Sequence, residues 1–103
     1  MDQTATKVHF VVSEEELNRL SATGLYERVE NGSDLSGPTC LVLDLGGVAL
    51  ITSWGMGSFI RMVTKLEPAG GSLTLMNVDP HISSCLRISG LDQMIKIVEA
   101  KAK

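Results

Sequence analysis

Residues 44–62 read DLGGVALITSWGMGSFIRM, and the fold turns on how this stretch changes period. Just upstream, LVLDL at 41–45 is a continuous apolar strand pattern, and VALI at 48–51 is a second short apolar run after Gly46-Gly47. Apolar residues then fall at 56, 59, 60, 63 and 66, which is one face of a helix expected over about 54–67. Ser53 therefore sits where a strand hands over to a helix. Unpartnered backbone N–H groups and the positive end of the helix dipole gather at such a point, so a phosphate on Ser53 would be well placed electrostatically. The plainer role is that of an N-cap, for Ser53 or for Thr52, and the two roles can coexist.

On the same helical spacing Trp54 aligns with Ser58, Arg61 and Lys65, opposite Phe59 and Val63. This predicts a polar stripe facing solvent. Trp54, the only tryptophan, then has two readings: a contact residue for a partner, or a ring folded back over the edge of the core.

The flanking elements follow from pattern and punctuation. VHFVV at 8–12 is a first strand. The acids Glu14, Glu15 and Glu16 suit a turn or a helix start, and Leu17, Leu20, Leu25 and Val29 continue an apolar face to about Glu30. Gly24 interrupts that face, which suggests a weak beginning and a firmer half at 22–30. NGSDLSGP at 31–38 is a loop, and TCLVLDL at 39–45 reads as a strand covered on both faces. SLTLMNV at 72–78 is the next strand. Asp79-Pro80 caps a helix at 80–88 that Gly90 ends. Residues 91–94 form a short turn, and IKIVEA at 95–100 is a strand or a helix that periodicity does not decide. Strands alternating with helices imply an α/β fold with a parallel part.

Length and composition bound the rest. A chain of 103 residues is one domain over 1–103, with 1–6 frayed, and it can build a core without metal or disulfide staples. The hydrophobic fraction is 44% but aromatics are only 4%, so the core is mainly Leu, Val, Ile and Met. A net charge of −3 with scattered cations gives no nucleic-acid surface. Cys40 and Cys85 are separate thiols in a chain that opens without a secretion signal, which points to a reduced, cytoplasmic protein. No apolar run approaches a membrane span. His9 and His81 stand apart without ligand spacing, so neither a metal nor another cofactor is expected.

Catalytic motifs fail in turn. Gly55-Met56-Gly57 opens a helix as a dinucleotide fingerprint does, but the third glycine would fall at Ile60. No Walker sequence occurs. Ser53 has no histidine partner in view, so no catalytic residue is assigned and the protein is expected not to be an enzyme. Asp44 at a strand end, with Glu14–Glu16 after the first strand, is shared with phosphate-accepting receiver domains. The spacing of the following elements fits poorly, and Asp44 reads better as a structural residue.

Taken together, the residues resemble the STAS domains, the bacterial anti-sigma factor antagonists. Asp44 to Gly57 matches D-L-x-x-V-x-x-I-x-S-x-G-x-G. Gly70-Gly71-x-Leu-x-Leu resembles the family's glycine turn and next strand, Asn77-Val78-x-Pro80 the approach to its next helix, and Ser89-Gly90-Leu91-Asp92 its Ser-Gly-Leu turn. Glu16-Leu17-Asn18 and Thr23 give a weaker match upstream. The resemblance implies a single STAS-like α/β domain, with a mixed sheet of four to five strands and helices packed mainly on one face. It places the phosphorylatable serine of the family on Ser53. It implies transcription regulation by docking of an anti-sigma factor or related serine kinase around this helix start, with a serine phosphatase to reverse the modification. Asn18, Thr52, Trp54, Gly55, Met56, Ser58 and Arg61 are the implied partner-binding residues; oligomeric state is left open. Three positions depart from the family: its Asp before the serine is Thr52, its small residue after the serine is Trp54, and its Glu-Leu-Asp ends in Asn18. A member without the switch would be a scaffold or a lipid-transport accessory module.

Overall fold

Four strands lie side by side in chain order and pair in parallel throughout: β1 (Thr6–Val11), β2 (Thr39–Asp44), β3 (Ser72–Val78) and β4 (Lys96–Glu99). This is a computed structural model that describes residues 6–18, 23–33, 35 and 37–100. Helices α1 (Glu14–Leu17) and α2 (Thr23–Gly32) join β1 to β2, α3 (Ser53–Leu66) joins β2 to β3, and α4 (Pro80–Ile88) joins β3 to β4. Parallel crossovers are right-handed, and an order that always advances by one neighbour puts every helix on the same side of the sheet.

Register makes that one-sidedness visible. Val8, Leu41 and Leu73 form one row across the strands, and Phe10, Leu43, Leu75 and Ile97 form the next. Both rows face the core, joined there by Phe59, Met62, Val63 and Leu66 of α3 and by Ile82 and Leu86 of α4. The row between them, His9, Val42, Thr74 and Lys96, turns to the other face. Strand β2 was expected to be covered on both faces. Instead Cys40 and Asp44 on this second face are half-exposed, and Val42 is 7% exposed between its lateral neighbours. The α/β class with helices on one face holds. A mixed sheet of four to five strands was expected; the described residues supply four strands, all parallel, because every connection between successive strands crosses over through a helix.

The local chemistry explains most element ends. Ser13 and Glu16 make a reciprocal capping box at α1. The break in the first helical region falls after Asn18, and Gly24 lies inside the first turn of α2; Leu20 and Ala22 lie outside the described residues. Asp79 caps α4 by accepting a hydrogen bond from the His81 N–H, and Gly90 follows the helix at φ +81°. β4 settles the undecided segment as a strand, because its backbone completes the edge of β3. Loop residue Leu35 is buried and pins the segment before β2.

Candidate functional site

The path from β2 to α3 begins with a turn closed by side chains. Asp44 Oδ1 accepts hydrogen bonds from the Gly46 N–H at 2.9 Å and from Asn77 Nδ2 at 3.0 Å. Asn77 reaches back because its own φ is +58°, a left-handed conformation that asparagine tolerates. The Asn77 bond, then the Gly46 bond, hold the Asp44 carboxyl below its usual pKa against a small desolvation cost, with a lesser pull from His9. The Asp44 carboxylate thus closes a turn, as a structural strand-end residue does. Glu14 and Glu16, the acids a receiver would need beside it, are engaged elsewhere. Among the described residues, no three His, Cys, Asp or Glu side chains are grouped to hold a metal.

Residues 48–52 form neither strand nor helix. Side chains from α1 take up their backbone groups. Glu14 Oε1 accepts from the Ala49 N–H at 2.8 Å and the Leu50 N–H at 3.1 Å. Asn18 Nδ2 donates to the Leu50 carbonyl at 2.7 Å, while its Oδ1 accepts from the Thr52 N–H at 2.7 Å and the Thr52 hydroxyl at 3.0 Å. Glu16 is bound in turn by Arg28, whose guanidinium also donates to the Val11 carbonyl and lies over Phe10.

Thr52 is the N-cap of α3, with extended φ/ψ and Oγ1 facing the Gly55 N–H at 3.4 Å. That leaves Ser53 as the first helical residue, exposed, with no hydrogen bond to its hydroxyl among the described residues. The two hydroxyls are therefore divided between jobs: Thr52 caps, and Ser53 points out at the helix N-terminus.

Gly55 and Gly57 are not equivalent. A Cβ on Gly55 would come within 2.9 Å of Asn18 Oδ1, 3.0 Å of Leu17 Cγ and 3.1 Å of Ile51 Cγ1. Gly55 is buried because α1 rests directly on the first turn of α3. A Cβ on Gly57 would meet nothing within 4 Å. Gly55→Ala should cost about 1–3 kcal/mol, since Asn18 is tied to Thr52 and cannot swing away. Gly57→Ala should raise stability by about 0.4–1 kcal/mol through helix propensity alone. Urea unfolding of the two variants checks the sign of each.

The remaining expected site residues fall in different places. Trp54 is 49% exposed beside Ser53, and Met56 is half-buried, its sulfur 3.6 Å from the Ser89 hydroxyl. Ser58, expected on a solvent stripe, is 3% exposed and donates to the Gly55 carbonyl at 2.8 Å. The stripe through 54, 58, 61 and 65 is not free: Arg61 stacks 4.1 Å from the Tyr26 ring centroid, and Lys65 lies 3.9 Å from Glu30, both partners on α2. The reason is a lateral neighbour, since α2 lies along this flank while the sheet takes the face beneath. Conversely Ile60, expected in the core, is exposed, and Met62 takes the core position. The outward line of α3 is Ser53, Gly57, Ile60 and Thr64. Sequence reasoning missed Glu14 and Leu50 as parts of the site. Glu14 and Asn18 are four residues apart, on one face of a helix, and that spacing was the available signal for Glu14. Leu50, 60% exposed within an apolar run, left none.

The model of the STAS domain family matches residues 3–103, and the chain belongs to that family. Two solved structures share the fold. A protein of Thermotoga maritima, assigned as an anti-sigma factor antagonist, superimposes with a TM-score of 0.75 at 22% identity, over 87% of this chain and 77% of that one. An anti-sigma-factor antagonist (STAS) domain protein of Planctomyces limnophilus gives 0.66 at 18% identity, over 94% of this chain and 84% of that one. A comparison with curated proteins gives no match.

Proposed function

We propose that this STAS domain is an anti-sigma factor antagonist, a cytoplasmic, non-enzymatic binding protein of a bacterial transcription switch. It docks an anti-sigma factor or related serine kinase at the start of α3 and is regulated by phosphorylation of Ser53, which a serine phosphatase reverses. One observation carries this reading: Ser53 stands exposed at the first position of α3 with a free hydroxyl, while its neighbour Thr52 is consumed as the cap. The two solved relatives bear the antagonist name, which supports the assignment without extending to their partners. No helix of the described residues is long and apolar enough to cross a membrane.

The surroundings suit a charge-operated contact. Leu50, Trp54 and Ile60 expose apolar surface around Ser53. Partner-binding contacts are assigned to Trp54 with Thr52 and Met56 beside it, and Asn18 and Gly55 shape the backbone behind them. Ser58 is too buried to touch a partner, and Arg61 contributes from its stack on Tyr26. A phosphoserine carries about −1.5 to −2 charge, which the helix N-terminus tolerates but which is costly to bury against a partner's apolar face. Thr52 and Asn18 stand where the family has carboxylates, so the phosphate meets less like-charge repulsion. That same replacement is the observation favouring a second reading, a scaffold STAS module that is never phosphorylated.

Incubation with a cognate anti-sigma kinase and ATP, followed by mapping of the modified residue, separates the readings. Phosphoserine at 53 supports the switch. No label supports the scaffold, and acyl phosphate on Asp44 would overturn both. With a partner in hand, Ser53→Asp should weaken binding at least about tenfold, the equivalent of ~1.4 kcal/mol. Trp54→Ala should cost about 1–2 kcal/mol of binding and, on folding, stay within about 0.5 kcal/mol. A large stability loss with unchanged affinity would place Trp54 in the core and remove it from the interface.

A further inference from the structure

The geometry points to Glu14 and Asn18 as positioning residues for Ser53, acting together as a two-pronged clip from one face of α1. The inference rests on the reading that Ser53 is the modified group, and concerns what holds it in place. Four polar groups of the backbone before α3, namely the N–H groups of Ala49 and Leu50, the Leu50 carbonyl and the Thr52 N–H, bond these two side chains. No strand partner does this work, because 48–52 lie beyond the end of β2. A loop of this kind would otherwise satisfy its backbone with water and sample several shapes.

The chemistry at each prong is specific. Glu14 faces only donors, and a single carboxylate oxygen receives both N–H groups. Asn18 must donate with one end of its amide and accept twice with the other. An aspartate there keeps the acceptor but loses the donor. It then sets a carboxylate oxygen against the Leu50 carbonyl, where 2.7 Å separates the present pair. Asn18 and Thr52 are thus a matched pair, since the Thr52 hydroxyl donates to the same Asn18 oxygen that receives its N–H. The clip is seated by Leu17, fully buried, and by Gly55, whose missing side chain lets α1 approach. Glu16 ties its other side to Arg28 of α2. Ser53 therefore moves with α1 and not independently of it.

Amide hydrogen exchange on the full chain tests this without any partner or kinase, so its outcome is independent of whether Ser53 is phosphorylated. Glu14→Ala should speed exchange at Ala49 and Leu50 by about tenfold, as loss of a hydrogen-bond acceptor carrying charge predicts, while the Leu75 amide in β3 is unchanged. Glu14→Gln, which keeps an oxygen in place, should restore protection. Asn18→Ala should speed exchange at Thr52, and Asn18→Asp should shift the amide resonances of residues 50–54 although it is nearly isosteric. Unchanged exchange at 49, 50 and 52 in both alanine variants would overturn the clip. So would acceleration spread equally to Leu75, or a Gln variant that behaves as Ala.

Discussion

Phe59→Ala should remove about 3–5 kcal/mol of folding stability, the range for a large aromatic truncated in a packed interior. Phe59 is 0% exposed and is the largest of the fully buried side chains. It projects from the middle of α3 into the core formed by the Leu41–Leu73 and Leu43–Leu75 rows of the sheet. Truncation loses both the transfer of the ring from water and the contacts of the cavity left behind. A domain of this size has only about 5–15 kcal/mol in total, so the variant sits near the edge of folding. Urea denaturation with a far-ultraviolet probe measures it. A loss below about 1 kcal/mol would mean that α3 is not seated on the sheet as described, and the orientation of Ser53 would fall with it.

Gly71→Ala should be strongly destabilising. A Cβ at that position would lie 2.5 Å from the Thr39 carbonyl oxygen and 3.0 Å from the Thr39 nitrogen. Both obstacles are backbone, so no rotamer change relieves them. Thr39 opens β2 and is held in register with Thr6, while Cys40 is held against Ser72. Relief therefore requires separating the first pairs of two adjacent ladders. The cost should reach or exceed the top of the about 1–3 kcal/mol usual for overpacking. Gly70 is the control. Its φ is +84°, but an added Cβ would meet only Pro38 Cβ at 3.9 Å, so Gly70→Ala should cost about 1–2 kcal/mol of left-handed strain and no more. The order of the two neighbours in thermal unfolding decides the matter: a Gly70→Ala midpoint below that of Gly71→Ala would contradict the packing of the glycine turn against β2.

The two glycine pairs bear on function as well as on stability. Gly71 lets the turn after α3 pack against the backbone of Thr39 in β2, and Gly55 sets the spacing between α1 and α3. Neither glycine needs to touch a partner for its replacement to disturb binding. Variants at either place need a stability measurement beside any affinity measurement.

Strands β2 and β3, helices α3 and α4 and the cap of α4 were legible in the residues, because each is written locally. Apolar runs mark strands buried against helices, a period of 3.6 marks α3, and Asp79-Pro80 and Gly90 punctuate α4. Ser53 could likewise be placed at a strand-to-helix junction from spacing alone. What spacing could not supply was the angle of α3 about its own axis relative to a neighbour distant in sequence. Its apolar residues face the sheet, but α2 also lies along one flank, so Ser58 is buried and Arg61 stacks on Tyr26, while Ile60 is left outside. β4 became a strand only because the β3 edge was there to pair with it. The difference between Gly55 and Gly57, identical in sequence terms, belongs to Leu17, Asn18 and Ile51, which press on one and leave the other open. Sequence by itself determined most of the elements, the α/β class and a serine at a helix start. Tertiary structure alone decided which hydroxyl caps and which is free, because Asn18 reaches 34 residues along the chain to claim Thr52.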